Sequence, residues 1–109
     1  MNEMKLIIYT TSTDKSPFVD WLEDLDETTR SIIKTRLNRV RSGNLGDIEP
    51  IKGCKGLFEL RIDYGKGYRI YVGKKGQEII IILFGGDKGS QTRDIEKAKR
   101  YWLEYRNLK

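Results

Sequence analysis

The first half of the chain combines one short strand pattern with two helical patterns. Lys5 to Thr10 is β-branched and aromatic, which predicts an opening strand followed by a polar turn. Ser16 and Pro17 are typical of a helix start, and Asp26 is suited to cap a second helix that ends at Gly43. The apolar stripes are Phe18, Trp21, Leu22 and Leu25 in the first helix, and Leu25, Thr29, Ile32, Ile33, Arg36, Leu37 and Val40 in the second. These patterns predict an αα-hairpin.

The second half changes to a period of two. After a glycine-rich segment from Ser42 to Gly56, predicted as an extended connector, two short runs alternate between apolar and polar residues. Their apolar positions are Phe58, Leu60 and Ile62, then Tyr68, Ile70 and Val72. Gln77 to Phe84 is apolar from Ile79 onward, which predicts a central strand covered on both faces. A helix from about Gln91 to Arg106 follows.

The element order is therefore β-α-α-β-β-β-α. Because the last three strands are closely connected and no βαβ alternation occurs, we expect an α+β fold on a mainly antiparallel sheet. The length of 109 residues is that of one domain, so residues 1–109 are expected to share a single core.

The two alternating strands predict a polar surface opposite their apolar one. Pairing Ile62 with Ile70 and Leu60 with Val72 keeps the apolar residues together and leaves a three-residue loop, Gly65 to Gly67. Arg61 then faces Tyr71, Asp63 faces Arg69, and Glu59 lies on the same surface. Two interpretations remain open: a phosphate site, since guanidinium matches phosphate oxygens, or cross-strand ion pairs worth about 0.2–1 kcal/mol each.

Composition restricts the chemistry. The chain has no histidine, which excludes imidazole catalysis and the commonest zinc ligand. Cys54 is the lone cysteine, so no internal disulfide or cysteine-rich metal site can form, and we expect neither a metal nor a cofactor. The absence of a signal peptide or membrane-spanning apolar run leads us to expect a cytoplasmic protein without membrane contact.

Positive charge is concentrated in the second half. The net charge is +5, with −2 in residues 1–50 and +7 in residues 51–109, which favours a polyanionic partner. Lys88 follows the central strand within a glycine-rich stretch that matches no phosphate-loop fingerprint. Lys52 and Lys55 precede the first alternating strand, and all three lysines are candidates for the rim of the polar surface.

Two long segments resemble a known family. They are KGCKGLFELRIDYGKGYRIY, from Lys52 to Tyr71, and LFGGDKGSQTRDIEKA, from Leu83 to Ala98. Both are similar to segments of the RelE/ParE toxin superfamily, and most closely to its HigB-like, phage-related addiction module killer branch. The resemblance extends over nearly the whole chain and implies a RelE-like fold.

The resemblance also implies a function. It points to the toxin of a type II toxin–antitoxin system, an mRNA interferase that binds mRNA in the ribosomal A site, cleaves it and so inhibits translation. Such an endoribonuclease is metal-independent: the RNA 2′-OH attacks the adjacent phosphate and leaves a 2′,3′-cyclic phosphate. The implied partner is an antitoxin, commonly of the helix-turn-helix type. The alternatives are a ParE-like inhibitor of DNA gyrase and a non-catalytic, toxin-derived binding protein, since the fold does not decide between them.

Residue roles follow from the resemblance position by position. Arg69 corresponds to the phosphate-binding strand arginine, and Arg61 to a basic position on the preceding strand. Glu59 is the candidate general base. Lys88 is a candidate for stabilising the phosphate or protonating the leaving oxygen, and Tyr71 is an alternative for that last role. The candidate RNA-binding residues are Lys52, Lys55 and Tyr71.

Overall fold

The computed structural model describes residues 3–107 and contains one five-stranded sheet between two helical layers. The strands are β1 (Lys5–Ile8), β2 (Ile48–Pro50), β3 (Leu57–Ile62), β4 (Tyr68–Lys75) and β5 (Ile79–Asp87). The helices are α1 (Pro17–Glu23), α2 (Glu27–Arg41) and α3 (Gln91–Asn107), and a single 3₁₀ turn, Lys88–Ser90, precedes α3. The α+β class and the mainly antiparallel sheet predicted from the sequence are confirmed.

The sheet order is β1-β5-β4-β3-β2, with β1 parallel to β5 and every other pair antiparallel. β5 lies between β1 and β4, and its residues from Ile80 to Leu83 are at most 2% exposed, as its uninterrupted apolar run predicts. The part of the chain between residues 3 and 107 contains no helix with the length and hydrophobicity needed to cross a bilayer.

Local capping explains where the first two helices begin. The Ser16 hydroxyl accepts the backbone N–H of Val19 at 3.3 Å, with Pro17 as the first helical residue. The Asp26 carboxylate accepts both the backbone N–H of Thr29 at 3.1 Å and its hydroxyl at 2.6 Å. These hydrogen bonds from Thr29 lower the pKa of Asp26 below its ordinary value. Both predicted N-caps are confirmed.

The sheet separates two cores. One face packs against α1 and α2, with Ile33, Val40, Leu60 and Ile70 fully buried. The other face packs against α3, whose Ala98 and Trp102 cover apolar side chains of the last three strands. The Trp102 ring lies directly against Gly73, where any side chain would overlap the ring. The position of α3 on this face therefore determines how much of the predicted polar surface is exposed to solvent.

Two sequence predictions about the strands are wrong. The segment Ser42–Gly56 is not only a connector, because it contains the short edge strand β2. The predicted hairpin register is off by two residues: Leu60 pairs with Ile70 and Ile62 with Tyr68, so Arg61 faces Arg69 and Glu59 faces Tyr71. A two-residue shift keeps every side chain on its face, so the apolar alternation alone does not distinguish the two registers.

The longer hairpin loop accompanies this register. Residues 63–67 connect β3 to β4, and the Gly67 N–H donates to the Tyr64 carbonyl at 2.9 Å. Gly65 and Gly67 have φ values of 56° and 80°, as a turn that uses glycine for left-handed backbone requires. Tyr68 joins the buried side as a strand residue, with its ring beside that of Trp21 at 6.3 Å between centroids.

Candidate functional site

The centre of the site is a buried ion pair between neighbouring strands. Nη1 of Arg69 on β4 donates to Oε2 of Glu59 on β3 at 2.6 Å, and the two side chains are 13% and 6% exposed. The second carboxylate oxygen of Glu59 accepts the side-chain N–H of Gln91 at 2.9 Å. Gln91 is the first residue of α3, so the helix start and the sheet together fix the carboxylate.

The face of the sheet explains this burial. Glu59, Arg61, Arg69 and Tyr71 alternate with core residues and therefore lie on the α3 side, as the sequence predicts. The helix covers Tyr71 fully and the ion pair largely, whereas Arg61 is about one third exposed. The polar surface is thus open at one end and closed at the other.

Arg61 and Arg69 are direct cross-strand partners, an arrangement of like charges that is unfavourable unless carboxylates compensate it. Each guanidinium has its own acid. Arg61 forms ion pairs with Asp47 at 3.0 Å and Glu49 at 2.9 Å, at the edge formed by β2. Its hydrogen bond to Asp47 raises the pKa of Arg61 above its ordinary value. Ion pairs are therefore present at both arginines, and the phosphate-site interpretation stays a prediction.

A buried arginine holds the loop that carries Asp47. Arg36 of α2 donates to the carbonyl oxygens of Leu45 at 2.6 Å and Asp47 at 3.2 Å, and burial lowers the pKa of this guanidinium. Gly46 between them has a φ of +60°, and a Cβ there would lie 3.0 Å from Nη2 of Arg36. Arg36 thereby fixes the position of the Asp47 carboxylate that pairs with Arg61.

The open end of the surface is a cleft of about 210 Å³, the Arg69 cleft, whose charged lining residues are Asp47, Arg61, Asp63, Arg69 and Lys88. Lys88 follows β5 directly, and its backbone N–H donates to the Gly67 carbonyl at 2.8 Å. The β3–β4 loop therefore positions Lys88 at the rim. Three of the four residues predicted as catalytic line this cleft, and the fourth, Glu59, is bonded to one of them.

The two lysines ahead of β3 lie in different places. Lys52 lines a smaller cleft of about 170 Å³ together with Glu59, on the other side of the ion pair from the Arg69 cleft. Lys55 lines a separate groove near the C-terminal end of α3, with Lys74 and Arg106. The structure brings Lys52 to the site and does not bring Lys55 there.

Tyr71 lies underneath α3 rather than on the surface. The residue is 0% exposed, and its hydroxyl has no hydrogen-bond partner among residues 3–107. Burial, together with the nearby Glu59 and Asp94 carboxylates, raises the pKa of this phenol. In this arrangement Tyr71 has no access to a nucleic acid in either cleft, so a role for it in binding requires α3 to move.

Sequence reasoning missed two side chains at the start of α3. Gln91 holds Glu59, as described above. Asp94 is 4% exposed and accepts the Ser90 hydroxyl. It lies directly over Gly86, the cross-strand partner of Arg69, where a Cβ would overlap its carboxylate. The glycine pair within an otherwise apolar strand was the available signal, because strand glycines often mark such a close approach.

Comparison with known proteins identifies a family for the chain. Residues 20–102 match the family described as phage derived protein Gp49-like (DUF891). The chain is also 41% identical over 97 residues to an uncharacterized protein of Haemophilus influenzae, covering 88% of this chain and 92% of that protein. The chain belongs to the phage-derived Gp49-like family.

The Gp49-like family is a toxin-like family of the RelE/HigB type, related to the RelE-type endoribonuclease toxins. Membership makes this Gp49-like chain a toxin-like protein of a toxin–antitoxin module, for which an antitoxin is the general partner. The matched segment, residues 20–102, includes the buried ion pair and the whole Arg69 cleft.

The described part of this Gp49-like protein has no cluster of three or more Cys, Asp or Glu side chains arranged to hold a metal ion. The charged groups available in the Arg69 cleft are two guanidiniums, one ammonium and the carboxylates of Asp47 and Asp63, with the Glu59 carboxylate bonded to Arg69. Such a set can bind a phosphodiester, stabilise negative charge on it and accept a proton.

Proposed function

We propose that this Gp49-like protein is a HigB-like toxin of the RelE/ParE superfamily, a single toxin domain that cleaves mRNA in the ribosomal A site. The observation that supports this most directly is the convergence of Arg61, Arg69 and Lys88 on one cleft, next to the Glu59 carboxylate. A phosphodiester in that cleft meets three cations and the carboxylates of Asp47 and Asp63. The proposed proton acceptor, Glu59, is bonded to Arg69 and lines the neighbouring cleft of Lys52.

The cations supply phosphate binding and electrostatic stabilisation. Arg69 is held by Glu59 through Nη1, and its guanidinium side chain lines the cleft with 13% of its surface exposed, which is the part open to a phosphate oxygen. Its Nε is buried without a hydrogen-bond partner among the described residues and does not face the cleft. Because both guanidiniums are fixed before substrate arrives, little reorganisation is needed as charge builds up on the phosphate.

Glu59 is the proton acceptor in this proposal. Each of its oxygens accepts one hydrogen bond, from Arg69 or Gln91, and a carboxylate has about four acceptor positions. The 2′-OH of the nucleotide donates to a free position, loses its proton and attacks the adjacent phosphorus. The bond to the 5′ oxygen breaks, and Lys88 stabilises the phosphate or protonates that leaving oxygen. The products are a 2′,3′-cyclic phosphate and a 5′-OH.

The proposed partner in the cell is an antitoxin of the helix-turn-helix type, encoded beside the toxin. Because an unneutralised toxin would be lethal, the antitoxin has to bind the toxin tightly. The two proteins are therefore expected to copurify from a two-gene operon. Recovery of free toxin from such an expression would contradict this part of the proposal.

Primer extension on mRNA from cells that express the protein tests the activity. We expect discrete cuts that disappear when translation is blocked. Glu59→Gln should reduce the cleavage rate by about 10²–10⁴-fold, the usual contribution of a general base. Arg69→Lys keeps the charge and removes the planar fork, and should also reduce cleavage strongly.

Arg100→Ala is the matched control, because Arg100 is exposed on α3 and lines none of the clefts described here. Cleavage by this variant should equal that of the wild type. Intact transcripts together with an induced DNA-damage response would contradict the proposal and favour a gyrase inhibitor. Full cleavage by Glu59→Gln would remove Glu59 from the mechanism.

A further inference from the structure

A second basic surface lies at the other end of β4, where it meets the C-terminal half of α3. It is a cleft of about 430 Å³, the C-terminal groove, and its charged lining residues are Lys55, Lys74, Lys75 and Arg106. All four are cations, and they come from three separate parts of the chain. Among residues 3–107, no acidic side chain lines the groove.

The floor of the C-terminal groove is built by close packing. Trp102 is 4% exposed, and its indole N–H donates to the Lys55 carbonyl at 3.0 Å, which ties the loop before β3 to α3. The Tyr105 ring is stacked against Trp102, with 5.9 Å between centroids and 7° between planes. The guanidinium of Arg106 lies over the Trp102 ring at 5.8 Å. The floor beneath the cations is therefore well packed.

These cations differ from those of the Arg69 cleft in having no acid beside them. Within residues 3–107 none of the four forms an ion pair. The Arg106 guanidinium lies over the Trp102 ring, whereas the Lys74 ammonium lies over Phe58, which packs on the opposite face of the sheet. The cations that face the groove are therefore Lys55, Lys75 and Arg106. Several uncompensated positive charges around one concave surface produce a local potential that attracts polyanions. We propose that the C-terminal groove binds backbone phosphates of RNA, as a second contact site remote from the Arg69 cleft.

The arrangement of the two sites favours RNA over an acidic peptide. Arg69 and Lys75 are six residues apart on β4, so the sites are separated by about 20 Å at the usual rise of a strand. Lys52 lies beside Glu59, and Lys55, three residues later, lines the groove, so basic residues continue from one site to the other. A linear polyanion can occupy both. The lysine ammonium is a point charge and lacks the planar donor pair of arginine. It therefore suits backbone phosphate contacts that do not depend on the RNA sequence.

The choice of RNA as the polyanion rests on the proposed function, so the test measures binding apart from cleavage. The probe is a single-stranded 2′-O-methyl RNA of about 12 nucleotides, which lacks the attacking hydroxyl and lies within the range that small single-strand-binding folds cover. Fluorescence anisotropy at several salt concentrations gives the affinity and its salt dependence. We expect Lys55→Glu/Lys75→Glu to weaken binding by about 10–100-fold and to lower the salt slope by about 1.4, for two lost phosphate contacts.

The matched control is Lys15→Glu/Lys34→Glu, which makes the same change in net charge at two exposed lysines outside both sites. Its affinity should fall much less than that of the groove variant. Equal affinities of the two double variants would overturn the inference. A second result would also overturn it: the wild type binds poly-glutamate more tightly than RNA, and the groove variant loses that poly-glutamate binding. The occupant of the groove would then be an acidic protein segment. Absence of mRNA cleavage by a protein that binds the probe in this way would count against the proposed function alone.

Discussion

The Arg69 cleft and the C-terminal groove are both lined by basic residues, but they differ in whether those residues form ion pairs. In the cleft, Arg69 and Arg61 are each paired with carboxylates, and the Glu59–Arg69 pair is largely buried. In the groove, lysines and one arginine stand without acids and close to solvent. Ion pairing fixes the geometry of a group at the cost of its attraction for a ligand, whereas unpaired charges attract a polyanion without orienting it. The first arrangement suits chemistry and the second suits affinity.

We expect the largest effect when Arg69→Ala is compared with Lys75→Ala. Removing Arg69 leaves the Glu59 carboxylate buried without its partner, and breaking such a pair costs about 3–5 kcal/mol. Lys75 is exposed and unpaired, so its removal should change the free energy of unfolding by at most about 0.5 kcal/mol. Urea denaturation measures both. Equal losses in the two variants would show that the pair does not hold the site together.

Gly86→Ala tests whether the start of α3 is fitted to the cleft. The new methyl group overlaps the Asp94 carboxylate, so we expect a loss of about 1–3 kcal/mol from overpacking. Asp94→Ala relieves the overlap, and the double variant should therefore lose less than the two single variants together. Strict additivity in a denaturation experiment would contradict the contact.

Tyr71→Phe tests the closed end of the polar surface. Its hydroxyl is buried without a partner among the described residues, so removing it should leave stability at pH 7 unchanged or higher by up to about 1 kcal/mol. The raised pKa adds a pH dependence. Above about pH 10 the unfolded chain releases the phenol proton while the folded protein retains it, so stability falls as pH rises. Thermal unfolding between pH 8 and 11 should show a shallower fall for Tyr71→Phe, and parallel curves would contradict this.

Asp47→Asn should have the smallest effect on stability and makes the cleft more like the groove. The pair with Arg61 is exposed, so solvent and salt screen it and its contribution to the free energy of unfolding is small. Removing one acid leaves Arg61 with Glu49 only, so affinity for the RNA probe should rise a few-fold at low salt and return to the wild-type value at high salt. Asp24→Asn, on the exposed end of α1, is the control of equal charge. An equal gain in that variant would assign the effect to net charge.

Much of the fold could be predicted because its signals are local. The caps at Ser16 and Asp26, the alternation in β3 and β4 and the apolar run in β5 each report on neighbouring residues. The edge strand β2 could not be predicted in this way. It has only three residues, and it forms because β3 offers an open edge to pair with.

The candidate site shows the same limit. Alternation predicted that Glu59, Arg61 and Arg69 share a face, and they do. It did not give the register, the burial of Tyr71 or the contacts of Gln91 and Asp94, since all of these depend on where α3 crosses the sheet. Lys52 and Lys55 lie at different clefts, and this depends on the path of the loop before β3. That loop is held by a hydrogen bond from Trp102, which is 47 residues later in the sequence than Lys55.

The parallel pairing of β1 with β5 has a consequence for synthesis. Lys5 lies opposite Ile79, so β1 cannot pair with its neighbour until β5 has been synthesised, more than 70 residues later. Lys88, Gln91 and Asp94 follow β5. Contacts this distant in sequence form slowly, because a long loop must close first. A growing chain that ends before α3 lacks Gln91 as the support for Glu59 and half of the groove floor. The Arg69 cleft and its support at Glu59 thus form only after α3 has been synthesised.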